Sequence, residues 1–289
     1  MRFSLTEVVL RQRLALLRDA WSTPGRSTRP PPAFRNKMSS LSKLLSVLDL
    51  FGPQTLKIDP DTIAERMGLS RATVYRYVKD LCDAGLLTRV DAGNYGLGPR
   101  VIELDWMMRQ YDPILIAGRE LMHELSAQTG LAVFASVFYD GRIINTYIAE
   151  PTDTYQFAFG RGQPLPFFRG AQSKVLIAFQ KGRRLQRLYD EHMANDPDSP
   201  YDWAEFSKAA KKIRKDGYCL THDELNLGLT GIAAPIIQTD IDEVVGSLSA
   251  VGSTQSFKLL RQETVIEMVM DTTRRIAENM RNQSNTTAP

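Results

Sequence analysis

The side chains best suited to chemistry in this chain lie along a predicted helix that begins at Arg71. Its outward positions offer guanidinium, ammonium, hydroxyl and methyl groups. They are Arg71, Ala72, Thr73, Tyr75, Arg76 and Lys79. A guanidinium can donate two hydrogen bonds to guanine, a hydroxyl can contact a base edge, and an ammonium binds phosphate. This set of groups on one helix face suits the major groove of double-stranded DNA.

Two predicted helices joined by a tight turn would position that face. Asp59 can cap the first helix, whose next residue is a proline that needs no N–H at that position. Gly68 suits a left-handed turn, and Ser70 can cap the second helix, which buries Val74 and Val78. The spacing therefore predicts a helix-turn-helix, with Ser70 also close to the DNA.

A short hairpin is predicted after these helices. Leu86–Arg89 and Tyr95–Leu97 have strand patterns and flank Asp91–Asn94, a segment of turn-forming residues. A helix-turn-helix followed by such a wing is a winged helix, and Arg89 and Asn94 join the predicted DNA contacts. The alternative is a helical hairpin with a solvated basic face. The agreement of caps, glycine turn, apolar spacing and wing favours the winged helix.

Composition and charge set the broad class of protein. The 289 residues are 43% hydrophobic and 24% charged, which predicts two domains with sizeable cores. The charge balance is +6 over residues 1–38, +1 over 39–100 and −4 over the remainder, so the net +3 is itself no evidence for DNA binding. No stretch approaches the roughly 18 apolar residues of a membrane span. We expect a cytoplasmic, nucleoid-associated protein with no membrane partner.

Residues 1–38 form a separate basic segment. A capping box at Ser4–Glu7 and apolar spacing up to Trp21 predict an amphipathic helix, and Pro24–Arg35 has the composition of disordered chain. Three interpretations stay open: an arm that grasps DNA, a contact to a partner, or upstream sequence included by a wrongly chosen start. We favour a disordered or mis-assigned extension, with the DNA-binding domain over 39–100.

Four stretches, in this order, are similar to one known family. They are the predicted opening helix Ser40–Phe51, the end of the wing at Tyr95–Arg100, Pro166–Ala178 and Gly228–Pro235. Together with the helix-turn-helix they make residues 39 to about 281 resemble the isocitrate lyase regulator (IclR) family of bacterial transcription factors. The resemblance implies an α+β chain with an N-terminal winged helix-turn-helix, connector helices and a C-terminal GAF-like α/β effector-binding domain. It also implies a homodimer or tetramer on operator DNA.

The pattern beyond Arg100 independently predicts an α/β domain. Helices over Val101–Met108 and Ile114–Gln128 form a connector, assigned to 101–129, and a hairpin pairs Leu131–Phe138 with Arg142–Ala149. Further strands are predicted at Tyr155–Phe159, Gly217–Thr221, Ile232–Ile237 and Val244–Val251, and further helices at Ala171–Gln180, Arg183–His192, Trp203–Lys215 and Phe257–Met280. We expect a sheet with helices packed on it over 130–282, and a flexible tail over 283–289.

A ligand site is predicted where Gly170–Lys174 opens an apolar helix. Free backbone N–H groups at the positive end of a helix bind carboxylates well. The resemblance places the backbone of Ala171 and Gln172 against the effector. The pocket lining that it implies consists of Thr221, Leu229, Gly231 and Ser249. This chain has threonine where the family often has an acid and glycine where it often has cysteine, which makes the floor wider and less charged.

Four phenylalanines nearby in the sequence bear on the effector class. They are Phe134, Phe157, Phe167 and Phe168. We hypothesise an aromatic or bulky carboxylic acid as the effector, although each phenylalanine by itself is better explained as core. Effector binding would change how the sensor domains associate and hence the spacing of the two DNA-reading helices.

Catalytic and metal-binding patterns have little support. The three histidines are scattered, and there is no Ser/His/Asp order, phosphate-binding glycine loop or paired-cysteine motif. Cys219 and His222 would point to opposite faces of a strand, and Cys82 and Cys219 lie in different predicted domains. We expect no catalysis, cofactor, metal or disulfide. Two alternatives stay open: a winged-helix protein with a catalytic sensor domain, and one used purely for protein contacts.

Overall fold

The computed structural model describes residues 39–151, 157, 159–196, 199, 201–238, 240 and 242–286. The expectations for residues 1–38 lie outside these described residues. Contacts divide the described chain into two compact units, one ending at Asp112 and the other beginning at Pro113. The division falls inside the segment predicted as a connector, between its two helices.

The first unit is a small helical domain with a two-stranded wing. Its elements are helix α1 (Ser40–Leu45), a 3-10 turn (Leu48–Leu50), helices α2 (Pro60–Met67) and α3 (Arg71–Asp83), strands β1 (Leu87–Arg89) and β2 (Tyr95–Leu97), and helix α4 (Arg100–Tyr111). The helix expected over Ser40–Phe51 is therefore broken. Ser46 lies at the break, where its hydroxyl donates to the carbonyl of Lys43 at 3.0 Å, a local bond that competes with continued helix.

The two helix caps and the glycine turn of the predicted helix-turn-helix are confirmed. The Asp59 carboxylate accepts from the N–H of Thr62 at 2.9 Å, and Gly68 ends α2 in the left-handed region with φ of +63°. Ser70 caps α3. The core beneath consists of Val47, Ile58, Ile63, Val74, Tyr77, Val78, Leu81 and Leu87, each at most 3% exposed. The outward face of α3 is thus fixed by the burial of its inner face.

The wing joins the helices through a close backbone contact. Strands β1 and β2 pair antiparallel from Leu87 opposite Leu97 to Arg89 opposite Tyr95. At the base, the N–H of Gly98 donates to the carbonyl of Leu86 at 2.8 Å. A β-carbon on Gly98 would lie 2.1 Å from the carbonyl oxygen of Gly85. Only glycine fits this approach, which closes the wing against the end of α3.

The second unit is an antiparallel sheet with helices on both faces. Its helices are α5 (Pro113–Thr129), α6 (Ala171–Ala178), α7 (Arg183–His192), α8 (Trp203–Asp216), α9 (Thr254–Leu259) and α10 (Gln262–Thr286). Its strands are β3 (Ala132–Tyr139), β4 (Arg142–Ala149), β5 (Pro164–Leu165), β6 (Cys219–His222), β7 (Leu229–Gln238) and β8 (Glu243–Ser253), in the order β5-β4-β3-β8-β7-β6. The predicted hairpin is confirmed: Asp140 and Gly141 have positive φ, as its tight turn requires.

Alternation along the central strands separates two cores. Leu248 and Ala250 of β8 belong to the cluster formed with α5 and α10, which includes Met122 and Val269. The opposite face of the sheet packs against α6, α7 and α8. Because strand side chains alternate in direction, Ser249 points to that second face. The cavity described below lies on the same face.

Three sequence expectations need correction. Phe157 and Phe159, the described residues of the strand expected over Tyr155–Phe159, lie outside any strand. The helix expected over Phe257–Met280 is split into α9 and α10, because the extended backbone of Leu260 interrupts it. Helix α10 continues to Thr286, past the predicted boundary of the domain at residue 282.

We predict that Gly98→Ala destabilises the first unit by about 2 kcal/mol or more, because backbone atoms must move to admit the new methyl group. The measurement is denaturant unfolding of the whole chain, followed by far-UV circular dichroism. Gly52→Ala is the matched control, since a β-carbon there meets nothing within 4 Å. Equal stability of the two variants would contradict the tight fit at Gly98.

Candidate nucleic-acid interface and ligand cavity

The outward face of α3 presents the donor groups expected from the sequence. Arg71, Ala72, Tyr75, Arg76 and Lys79 are exposed, and Thr73 is half-buried. These six residues therefore share one accessible surface, with the capping Ser70 at its N-terminal end. Tyr75 is 55% exposed although it is aromatic, which leaves its ring and hydroxyl free to meet a partner.

Two arginines on this face are held loosely. Arg71 Nε lies 2.9 Å from Asp61 Oδ1, with 74% of the arginine side chain and 53% of the aspartate side chain exposed. Exposed pairs of this kind contribute little stability, so the guanidinium can exchange to a phosphate or a base at small cost. The Arg76 guanidinium lies 5.7 Å from the ring centroid of Tyr77, a contact that orients it without using its donors.

The predicted wing residues Arg89 and Asn94 are engaged with the turn itself. Asp91 accepts from Lys57 Nζ at 2.6 Å and from Asn94 Nδ2 at 2.6 Å, and these bonds lower the pKa of its carboxyl group. Arg89 Nε donates to the backbone carbonyl of Asp91 at 3.3 Å. Lys57, which the sequence reading did not single out, thus adds a cation at the wing tip.

A cavity opens in the second unit, on the α6 face of the sheet. The empty space within its lining, open solvent at the mouth included, is about 440 Å³. The lining comes from all six strands, the segment between β4 and β5, the start of α6 and the loop between β6 and β7. It consists of Phe134, Asn145, Phe157, Phe159, Leu165, Gly170, Gln172, Thr221, Glu224, Leu225, Asn226, Leu229, Thr230, Gly231 and Val251. The lining combines aromatic side chains with polar ones.

Five of the seven residues expected at a ligand site line this cavity: Gly170, Gln172, Thr221, Leu229 and Gly231. Ala171 and Ser249 are buried and are not among the lining residues. A β-carbon built on Gly231 would lie 3.8 Å from the Ala171 methyl, an ordinary contact, so the glycine leaves open space. The Ser249 hydroxyl is fully buried and has no hydrogen-bond partner among the described residues.

The four phenylalanines divide into two groups. Phe134 and Phe157 line the cavity and meet edge to face, with ring centroids 4.9 Å apart. Phe167 stacks on His192 at 4.4 Å, and Phe168 packs against Phe206 at 4.6 Å. Phe167 and Phe168 are therefore packing residues, as expected for most of the group, and the first two supply an aromatic wall.

Lys174 and Glu224 are closer to the cavity than the sequence suggested. The sequence alone predicts that Lys174 faces solvent or a helix partner and that Glu224 lies in a solvated turn. Instead, Lys174 Nζ lies 2.5 Å from Glu224 Oε1, with 12% of the lysine side chain exposed. The backbone N–H of Gly170 donates to Glu224 Oε2 at 2.9 Å. Burial alone would lower the pKa of Lys174, but the hydrogen bond and charge of Glu224 outweigh it and raise that pKa.

Asn145 supplies a buried polar group that the sequence reading missed. It is 1% exposed; its Oδ1 accepts from the Ser136 hydroxyl at 2.8 Å, and its Nδ2 donates to the carbonyl of Phe159 at 3.1 Å. It lies two positions after the buried Ile143 on β4, and a polar residue at such an inward position is a sequence signal that could have marked it. Because Asn145 also lines the cavity, it offers a hydrogen-bonding group beside the aromatic wall.

Cys219 and His222 point to opposite faces of β6, as expected. Cys219 is buried, and burial raises the pKa of its thiol to about 12, so it stays protonated at neutral pH. His222 is exposed and hydrogen-bonds Thr230 at 2.8 Å. In the part of the chain that the structure describes, no three His, Cys, Asp or Glu residues are grouped as metal ligands. Likewise, no described helix is long and apolar enough to cross a membrane.

Comparison with protein families gives two matches, one for each unit. Residues 40–91 match the IclR helix-turn-helix domain, and residues 110–278 match the C-terminal domain described as bacterial transcriptional regulator IclR. A curated relative, the p-hydroxybenzoate hydroxylase transcriptional activator of Acinetobacter baylyi, is 24% identical over 253 residues. That alignment covers 85% of this chain and 91% of the relative.

Solved structures share the fold. An IclR transcriptional regulator from Alicyclobacillus acidocaldarius has a TM-score of 0.71 at 22% identity, over 84% of this chain and 99% of the other. An IclR homologue from Microbacterium hydrocarbonoxydans, solved in complex with 4-hydroxybenzoate, has a TM-score of 0.69 at 19% identity. That match covers 84% of this chain and all of the homologue. A winged helix-turn-helix with a C-terminal α/β domain is thus confirmed.

We predict that Asn145→Leu costs about 1–3 kcal/mol of stability, since it leaves a buried hydroxyl and carbonyl without partners. Ser136→Ala removes only one of the two bonds and should cost less. In the double variant the loss should fall short of the sum of the single losses by about 1 kcal/mol, because the residues share a bond. Denaturant unfolding measures all three variants; strict additivity would show that the two side chains act independently.

Proposed function

Because the chain belongs to the IclR family of bacterial transcriptional regulators, we propose that it binds operator DNA through α3 and responds to an aromatic carboxylic acid. The observation that carries the effector class is the cavity, whose lining combines aromatic side chains with the first turn of α6 at the positive end of that helix. An aromatic acid matches this lining, because its apolar ring can pack on the aromatic side chains and its carboxylate can bind the N–H groups that begin α6. The protein would act in the cytoplasm, at the nucleoid.

DNA contact falls to the outward face of α3 and to the wing. Arg71 and Arg76 would donate to base edges or phosphates in the major groove, and Lys79 to phosphate. Ala72, Thr73 and Tyr75 offer methyl and hydroxyl contacts, and Ser70 lies at the helix start. At the wing, Arg89, Asn94 and the additional Lys57 lie where a backbone or the neighbouring minor groove would pass. The weak pairing of Arg71 with Asp61 supports this role.

Effector contact begins at the first turn of α6. The backbone N–H groups of Ala171 and Gln172 would bind the carboxylate, as helix N-termini bind anions. Thr221, Leu229 and Gly231 would form the floor, with Gly170 and Ser249 close by. Phe134 and Phe157 would contact the ring. The complex of a structural neighbour with 4-hydroxybenzoate and the name of the Acinetobacter relative support an aromatic acid as the class.

A second copy of the chain is the proposed partner of α4. That helix buries none of its residues within the first unit. Ile102, Trp106 and Tyr111 are 73%, 64% and 70% exposed, an apolar surface that monomers rarely leave uncovered. A dimer would place two α3 helices in successive major grooves of a near-palindromic operator. A tetramer made of two such dimers is equally compatible with this arrangement, as are both activation and repression.

Catalysis has no part in this proposal. Cys219 is a poor nucleophile because its thiol stays protonated. The Thr230 hydroxyl that His222 hydrogen-bonds also lies 3.1 Å from the Thr254 hydroxyl, so it belongs to a chain of neutral hydroxyl groups. The effector therefore acts by binding the two states of the protein with different affinity.

We predict that Arg76→Ala weakens operator binding by roughly tenfold and reduces its salt dependence or its base preference, since a groove-facing guanidinium is lost. Fluorescence anisotropy with labelled operator at several salt concentrations gives both quantities. Arg261→Ala removes an exposed arginine from the other unit and is the control. Unchanged affinity of the Arg76 variant would overturn the assignment of α3.

We predict that the purified chain selects a near-palindromic sequence from genomic fragments at near-physiological salt. A panel of aromatic monocarboxylates, including benzoate and 4-hydroxybenzoate, should contain members that change the enrichment. Higher enrichment with the acid would show that the effector tightens DNA binding, and lower enrichment would show that it releases the DNA. Recovery of unspecific, salt-sensitive fragments alone would overturn the proposal and favour a protein-contact role.

A further inference from the structure

One carboxylate of the chain itself lies at the positive end of α6. Glu224 Oε2 accepts from the backbone N–H of Gly170 at 2.9 Å, and Glu224 Oε1 lies 2.5 Å from Lys174 Nζ. The group stands where the cavity meets the helix, since Gly170 and Glu224 both line it. An anion is therefore already present beside the position at which an effector acid would bind.

The surroundings of Lys174 make an anion there necessary. Its ammonium lies 5.6 Å from the ring centroid of Phe168 and 5.7 Å from that of Tyr201, and the lysine side chain is 12% exposed. The Tyr201 hydroxyl lies 3.3 Å from Nζ. A buried ammonium without a negative partner is costly. Glu224 is the carboxylate that meets this need in the structure.

Further donors of the same helix end are left free. The N–H of Gly170 donates to the Glu224 carboxylate. Within the described residues, the N–H groups of Ala171, Gln172 and Ser173 have no hydrogen-bond partner, and neither has the Gln172 side chain. Gln172 is 4% exposed and lines the cavity. An unpartnered amide so deeply buried points to a polar ligand group in the cavity.

Glu224 belongs to a short loop that forms part of the cavity wall. The loop runs from Asp223, with φ of +57°, to Gly228, with φ of +78°. Its residues Leu225 and Asn226 line the cavity. Leu225 packs closely on Gly170: a β-carbon built on Gly170 would lie 2.4 Å from Leu225 Cδ1. Release of the Glu224 carboxylate would break the ion pair that ties this loop to α6. The bond that Arg169 Nη2 donates to the backbone carbonyl of Glu224 at 2.8 Å would remain.

Resting on the proposed function, we propose that Glu224 is an internal competitor of the effector. The carboxylate of the acid takes the place of the Glu224 carboxylate beside Lys174 and accepts from the free N–H groups of Ala171 and Gln172, and the loop over residues 223–228 is released from α6. One anion occupies the site in either state. The site therefore selects ligands with a single carboxylate, since the described lining residues include no cation that could meet a second negative charge, and Lys174 lies beside them.

The test compares binding of benzoate with chloride at equal ionic strength. The full chain, Glu224→Gln, Lys174→Met and the exposed control Glu267→Gln are titrated with each salt, and the rise in Tm is recorded. An intramolecular ligand competes at an effective concentration in the mM range. We expect Glu224→Gln to reach half of its benzoate-specific stabilisation at about tenfold lower benzoate than the full chain. Lys174→Met should lose the benzoate-specific effect, and Glu267→Gln should match the unmodified chain.

Three results would overturn the proposal. Weaker benzoate binding by Glu224→Gln would make Glu224 a direct ligand group, and equal binding would make it a purely structural partner of Lys174. Failure of every variant to distinguish benzoate from chloride would remove the anion site altogether. The proposed function fails differently, because it would fail if benzoate-type acids bind but leave the affinity for operator DNA unchanged.

Discussion

The buried ammonium of Lys174 must have a negative partner, and the second unit is arranged around that requirement. The lysine lies one turn into α6, so its partner is held at the positive end of the helix, where backbone N–H groups also favour an anion. Glu224 meets both demands at once. The same contact fixes the loop between β6 and β7 over the cavity. Charge, helix dipole and loop position are therefore one coupled feature.

The remaining construction keeps that feature in place on a rigid support. The antiparallel sheet carries an apolar core on one face, against α5 and α10, and the cavity on the other. Packed sheets deform little, so a change in the loop is passed on rather than absorbed. The first unit is rigid for a different reason, since capped helices and a glycine-only contact at Gly98 hold its wing against α3. The sheet of the second unit thus supports the loop between β6 and β7, and the capped helices of the first unit support the exposed face of α3.

Local signals explain how much of this was predictable. The Asp59 cap, the left-handed Gly68 and the Asp140-Gly141 turn act within a few residues, and the elements that they begin or end were found near their predicted places. The Lys174–Glu224 pair joins residues 50 positions apart, and periodicity carries no information about such a distance. For the same reason the sequence marked most of the cavity floor but missed Glu224 and Asn145.

The most direct test of the central claim is hydrogen exchange of the whole chain, with and without benzoate. The account predicts slower exchange at the amides of residues 171–173, which the acid would bind, and faster exchange over residues 223–228, which Glu224 would no longer hold. Slower exchange in both segments would contradict it, because the loop would then close on the acid while Glu224 stays in place.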